Sequence, residues 1–165
     1  MLDIVASREP IVARVVDVKS RYIEALSLIE RLHRRLLDVI KDEFDSSGRS
    51  DVNSVQALLI FNIGAAELTA GELRKRGCYL GSNVSYNLKK LVEAGYIRHE
   101  RSQVDRRSVH ISVTEKGLEV AEIVNDLYDR HILRQEVGGI ADDEFVDMNR
   151  SLKKLERFWT NQLRH

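Results

Sequence analysis

The thirty-four positions from Ile11 to Phe44 hold neither glycine nor proline, and no other feature limits the possible folds of this chain as strongly. Apolar residues at Val15, Val18, Tyr22, Ile23, Leu26, Ile29, Leu32, Leu36, Val39 and Ile40 recur at spacings of three and four, the period of an amphipathic helix. Pro10, the only proline, stands just ahead of the run, where its fixed φ and missing N–H suit a first helical turn. At 1.5 Å per residue such a helix reaches ~50 Å, more than the core of a chain this size can cover. Either a partner chain covers the excess, or the helix breaks near Lys19 to Arg21.

A second stretch, Leu68 to Gly117, has a different grammar. Thr69 with Glu72 three residues on is a capping pair that starts a short helix ending at Gly77. Ser82 or Gly81 can cap the next one, in which Val84, Leu88, Leu91 and Val92 form an inward stripe and Gly95 a stop. Two strand-like runs follow, Tyr96 to Arg101 and Ser108 to Val113, the latter alternating with Val109, Ile111 and Val113 on one face. A polar tip, Gln103 to Ser108, lies between them, and Thr114 can cap a further helix. Short helix, second helix and hairpin is the order of a winged helix-turn-helix, in which the second helix enters a DNA major groove. The expected fold is therefore mainly α with a small β-hairpin wing.

On that reading, the outward face of the second helix carries the base-reading groups: Ser82, Asn83, Ser85, Tyr86, Asn87, Lys89 and Lys90. Asparagine can pair with adenine at two points and serine can donate or accept, while the lysines neutralise phosphates. At the wing, Arg101, Arg106 and Arg107 are cationic. An arginine at a hairpin tip can enter a narrow minor groove, and Asp105, two residues before Arg107, can hold it there. The same pattern also fits an ordinary amphipathic surface helix beside a hairpin with a local ion pair.

The formal net charge is zero, which is unusual for a polyanion binder, but the charge is unevenly placed. Gly71 to Lys116 holds ten basic and five acidic side chains, a segment charge of +5 that leaves −5 for the remainder. A basic centre in an acidic frame steers a polyanion to one face. No apolar run approaches the ~20 residues of a bilayer span, and the first residues lack the order of a signal peptide. Cys78 is the only cysteine, which rules out an internal disulfide framework and leads us to expect a cytoplasmic protein. Near Arg76 it can be a redox-sensing thiolate, or simply a small buried apolar residue.

Residues Asp105 to Gly117, Asp-Arg-Arg-Ser-Val-His-Ile-Ser-Val-Thr-Glu-Lys-Gly, resemble the wing signature of the MarR family of bacterial transcription regulators. That signature is Asp-x-Arg, a strand, then Leu-Thr-x-x-Gly; Val113 stands in place of the usual leucine. Gly81 to Leu91 resembles more narrowly the recognition helix of the LdtR-like branch. The resemblance implies double-stranded DNA as partner, Arg107 as the minor-groove arginine with Asp105 orienting it, and Ser82 to Lys90 as the major-groove surface. It also implies a homodimer paired through N- and C-terminal helices on a near-palindromic operator. Lastly, it implies a small aromatic or phenolic effector between those helices and the DNA-binding lobe, with Leu36, Leu37, Ile40, Leu59 and Phe61 as candidate pocket walls where the first helix meets the one after the loop, or else as plain core.

The rest of the chain fits that frame. Asp45 to Ser50 is a loop by composition, and Asn53 with Gln56 forms a capping box for a helix running towards Gly64. After Thr114, Val120, Val124, Leu127, Tyr128, His131 and Ile132 make one stripe. Gly138 and Gly139 then break the helix and Asp142 can cap another. In that last helix Phe145, Met148, Leu152, Leu155 and Trp159 alternate at three and four, a heptad seam suited to another helix. We expect dimerisation segments at 1–48 and 118–165 around a DNA-binding domain at 49–117. His33, His99, His110, His131 and His165 show no metal-ligand spacing, phosphate loops and nucleophile elbows are absent, and no cofactor or catalytic role is expected. The alternative is a winged-helix module that docks a protein rather than DNA.

Overall fold

The computed structural model describes residues 11–75, 82–101, 109–133 and 139–163. In chain order these form α1 (Ile11–Ser46), α2 (Ser54–Ile63), β1 (Leu68–Thr69), α3 (Ala70–Lys75), α4 (Ser82–Glu93), β2 (Ile97–Arg101), β3 (Val109–Val113), α5 (Glu115–Leu133) and α6 (Asp142–Gln162). Helices dominate, and a small three-stranded antiparallel sheet of order β1-β3-β2 completes a winged helix-turn-helix. The chain divides into two compact units, Met1–Val124 and Asn125–His165, with the boundary inside α5.

α1 runs without interruption through Lys19 to Arg21, so the break considered from its length does not occur. Its polar face is laced by ion pairs one turn apart, Asp17 with Arg21 at 2.8 Å, Glu30 with Arg34 at 2.7 Å and Lys41 with Asp45 at 2.7 Å. These are exposed, so water and salt screen them and they contribute little to stability. Among the side chains described from Asp17 on, burial comes late in the helix: Ile40 and Phe44 are in the core, whereas Val18, Tyr22, Ile23, Leu28, Leu32 and Val39 are exposed.

α2 is apolar on all sides and accordingly central: Ala57, Leu59, Ile60 and Ile63 are buried, and it packs against α1, α4 and β3. Its start is the expected capping box, with Gln56 N–H donating to Asn53 Oδ1 at 2.9 Å and Asn53 N–H to Gln56 Oε1 at 3.1 Å. Thr69 and Glu72 repeat the arrangement for α3. Thr69 also sits in β1, whose two residues pair Leu68 with Ile111 and Thr69 with His110 of β3. This third strand has no sequence signal because two residues are too few to show alternation.

The wing strands pair in register from Ile97 with Val113 to Arg101 with Val109. Leu91, Tyr96, Ile97 and Ile111 are buried where α4 meets the sheet. Val92, assigned above to the inward stripe of α4, is instead exposed. Leu91 at the adjacent position already fills that space, and consecutive helical positions diverge by about 100°. α5 follows Thr114, whose Oγ1 accepts from Gly117 N–H at 3.2 Å as an N-cap does, and it buries Val120, Val124 and Leu127.

The N-cap of α6 lies one residue earlier than expected. Ala141 is the N-cap and Asp142 already lies within the helix. The start is held by the second half of a capping box, Ala141 N–H donating to Glu144 Oε2 at 2.8 Å, with three acidic residues in the first turn favoured by the helix dipole. None of its residues is buried. Met148, Leu152 and Trp159 of the heptad seam are exposed, and Phe145 and Leu155 are half-buried. Among the described residues no helix is long and apolar enough to cross a membrane.

Candidate nucleic-acid interface

The outward face of α4 is polar and accessible where the spacing places it. Ser85, Lys89 and Lys90 are exposed, Asn87 is half-buried, and the Tyr86 ring is 60% exposed, a large aromatic in the middle of a polar face. Lys90 Nζ lies 5.8 Å from the centre of that ring, within reach of a weak cation–π attraction. The same ammonium is 3.3 Å from Glu93 Oε2, and Lys89 Nζ is 3.9 Å from Glu93 Oε1. One carboxylate therefore holds two cations at the C-terminal end of α4, and both are exposed enough to exchange it for phosphate. Ser82 and Asn83 open α4, but their side chains fall outside the described ones, as does Cys78.

Arg101 closes β2, exposed, opposite Val109 at the base of the tip. Asp105, Arg106 and Arg107 lie outside the described residues. The wing is nevertheless anchored at its root. Thr114 N–H donates to Tyr96 O at 3.0 Å and its hydroxyl to Gly95 O at 2.7 Å. Lys116 Nζ donates to Ala94 O at 2.9 Å and stands 4.1 Å from the centre of the Tyr96 ring. Gly117 is required there, since a Cβ would lie 2.3 Å from Tyr96 O and 2.5 Å from Val113 Cγ1. On β3, His110 Nδ1 is 2.8 Å from Glu67 Oε1.

Sequence reasoning passed over a polar group at this root. Tyr96, 1% exposed, donates its hydroxyl to Asp51 Oδ2. Arg49 Nε is 3.6 Å from Asp51 Oδ1, and Arg49 Nη1 is 3.6 Å from Glu119 on α5. The Tyr96 hydroxyl holds the Asp51 carboxyl below its ordinary 3.8, with partial burial opposing and Arg49 reinforcing. Burial, then Asp51 itself, pushes the Tyr96 phenol above its ordinary 10.0. The available signal was the pair of glycine stops at Gly48 and Gly95, each fixing the backbone of the residue after it.

Of the residues assigned to an effector pocket, Ile40 and Leu59 are buried core, while Leu36, Leu37 and Phe61 are half-buried. α1 and α2 do pack together, so the side chains of this set lie on elements in contact.

Comparison with known proteins bears on all of this. The family model for the MarR family matches residues 50–108, from the loop before α2 through the wing tip. The exopolysaccharide II synthesis transcriptional activator ExpG of Rhizobium meliloti (strain 1021) is 34% identical over 148 residues, covering 87% of this chain and 74% of the relative. Among solved structures, a mutant MarR from E. coli complexed with operator DNA is similar with a TM-score of 0.63 and 23% identity, over 82% of this chain and 95% of that one. FabT of Streptococcus pneumoniae in complex with DNA gives 0.62 and 22%, over 86% and 99%. At these identities the structures speak to the fold alone.

Proposed function

Because the chain belongs to the MarR family of transcription regulators, we propose that it is a homodimeric, sequence-specific DNA-binding regulator whose operator affinity is set by a small-molecule effector. The observation that carries this is the accessible polar face of α4, where Ser85, Tyr86, Lys89 and Lys90 stand out on a helix anchored from behind by Leu91. Ser82 to Lys90 read base edges in the major groove and Arg107, oriented by Asp105, reads the minor groove beside it. The similar E. coli and pneumococcal proteins, crystallised with DNA, share this fold. Two copies place two such helices on half-sites about one DNA turn apart, so the operator is near-palindromic.

Two copies also account for the apolar surface of α1 and α6, which a monomer leaves in water. An aromatic or phenolic effector that contacts Leu36, Leu37 and Phe61 beside the α1–α2 core would shift the equilibrium between two spacings of the recognition helices. Coupling of ~1–3 kcal/mol changes operator affinity about 5- to 150-fold.

The test is a titration of operator DNA, selected from a random pool by the purified protein, at several salt concentrations. The logarithm of affinity falls steeply with the logarithm of salt as phosphate contacts release counterions. Arg107→Ala weakens operator binding about tenfold and leaves the dimer intact, in line with a minor-groove arginine. Selection of no sequence, together with salt-insensitive capture of a protein partner, would instead establish a protein-docking winged helix.

A further inference from the structure

α1 and α4 end in the same motif. In each, a glycine at positive φ follows the last turn, Gly48 at 72° and Gly95 at 78°. The glycine N–H bonds three residues back, Gly48 to Asp45 O at 3.2 Å and Gly95 to Val92 O at 3.0 Å. The next N–H bonds five residues back, Arg49 to Phe44 O at 3.0 Å and Tyr96 to Leu91 O at 2.8 Å. This double bond pattern satisfies the last carbonyls of a helix and fixes the direction in which the following residue leaves it. The two residues so placed, Arg49 and Tyr96, converge on one carboxylate, Asp51.

The helix that precedes one stop is the long α1, and the helix that precedes the other is α4, so Asp51 joins the two stops across 45 residues of chain. The joint has little freedom. Tyr96 is buried, Lys116 stands over its ring, and its carbonyl accepts from Thr114 while lying against Gly117. Arg49 extends the joint to Glu119 on α5. A phenylalanine would fill the space of the ring equally well. Only the hydroxyl needs Asp51, and a phenol donating to a carboxylate makes a short, directional, charge-assisted bond.

We propose that Tyr96 is a positioning residue for DNA reading: through its hydroxyl bond to Asp51 it locks the end of the recognition helix, and the wing root beside it, to the end of α1. Movement at the α1 stop then reaches α4 through one directional bond in addition to the packing of both helices on α2. This rests on the DNA-binding reading above and adds the residue by which the reading helix is held in register with the rest of the lobe.

The experiment uses the full-length protein and compares its affinity for a selected operator with that for random duplex. The thermal midpoint and sizing-column behaviour are recorded for every variant. Tyr96→Phe and Asp51→Ala each weaken operator binding about tenfold, the range of a coupling between sites, and leave random-duplex binding within about twofold. The double variant is no weaker than Asp51→Ala alone, because the Tyr96 hydroxyl has no bond left to lose once Asp51 is gone. Asp51→Asn keeps an acceptor oxygen and restores most of the operator affinity. Unchanged operator affinity in Tyr96→Phe, or losses that add in the double variant, would overturn the proposal while leaving the DNA-binding reading in place. If Tyr96→Phe proves unstable, equal operator affinity in Asp51→Asn and Asp51→Ala overturns it. A wild-type protein that selects no sequence removes the DNA-binding reading and this proposal together.

Discussion

The winged lobe and helix α6 put their apolar residues to opposite uses. Within the lobe, Ile60, Ile63, Leu73 and Leu91 are at most 1% exposed, and α2 and α4 pack on each other, α2 also on α1 and β3 and α4 on β2. In α6, Leu152 is 42% exposed, Trp159 40% and Phe158 54%, and no residue is buried. The stretch of α1 from Asp17 to Arg34 resembles α6 in this respect, with Val18, Tyr22, Ile23 and Leu32 exposed. The lobe thus has a buried core of its own, while these helices leave apolar side chains exposed. At ~25 cal/mol per Å² of apolar area, that surface is an unspent contribution to stability in a single chain.

The sharpest way to break this comparison is Leu152→Glu. In a twofold dimer each substitution enters the interface twice, and a carboxylate left unpaired in an apolar seam costs about 3–5 kcal/mol. Sedimentation at micromolar concentration is expected to show a monomer. Its circular dichroism is expected to keep most of the helical signal, because the buried residues Ile40, Ile60, Ile63, Leu73 and Leu91 all lie outside α6. A Leu152→Glu protein that stays dimeric removes α6 from the interface. One that loses its helical signal altogether shows that the lobe is not self-sufficient.

Gly117→Ala tests the other side. The new Cβ would meet the carbonyl of Tyr96 and Val113 Cγ1 well inside contact distance, and a backbone carbonyl cannot swing aside as a side chain does. Overpacking of this kind costs about 2–3 kcal/mol. A urea titration is expected to show the loss in the lobe with dimerisation unaffected at low denaturant. An unchanged midpoint would show that α5 and the wing root shift apart freely.

What could be read from the sequence follows from how local its causes are. The capping boxes at Asn53 with Gln56 and Thr69 with Glu72, the stop at Gly95 and the strand that ends at Val113 are each set within four or five residues, and all are present as expected. β1 was missed because its partner, Ile111, is 43 positions away and two residues show no period. The period alone put Val92 inside α4, and only the packing of Leu91 against the sheet decides which of two adjacent apolar residues turns inward. The Asp51–Tyr96 bond was likewise hidden. Its two glycine stops are local signals, but their convergence on one carboxylate is a property of the folded lobe. On α4, the exposure of Ser85, Tyr86, Lys89 and Lys90 agrees with the helical wheel, while Asn87 is more covered than its place on that wheel suggests.

The smallest effect expected is on pH dependence, and it separates the joint at Tyr96 from the rest of the lobe. Asp51 has its pKa lowered in the folded protein, first by the Tyr96 hydroxyl, so it adds stability that is present above the ordinary carboxylate value and lost as pH falls through the folded one. Tyr96 has its pKa raised, first by burial and next by Asp51, so its contribution is present below its ordinary value and lost as pH rises through the folded one. The joint is intact between these limits, from about pH 4 to about pH 10. Because the Asp51 side chain is about half exposed, solvent screening keeps its share small. The comparison that isolates it is the difference in urea midpoint between wild type and Asp51→Asn, where the other carboxylates cancel. That difference is expected to hold steady from pH 7 to pH 5 and to shrink below pH 4. A gap that stays constant down to pH 3 would mean that the Asp51 carboxylate does not sense the fold, leaving only packing to join the ends of α1 and α4.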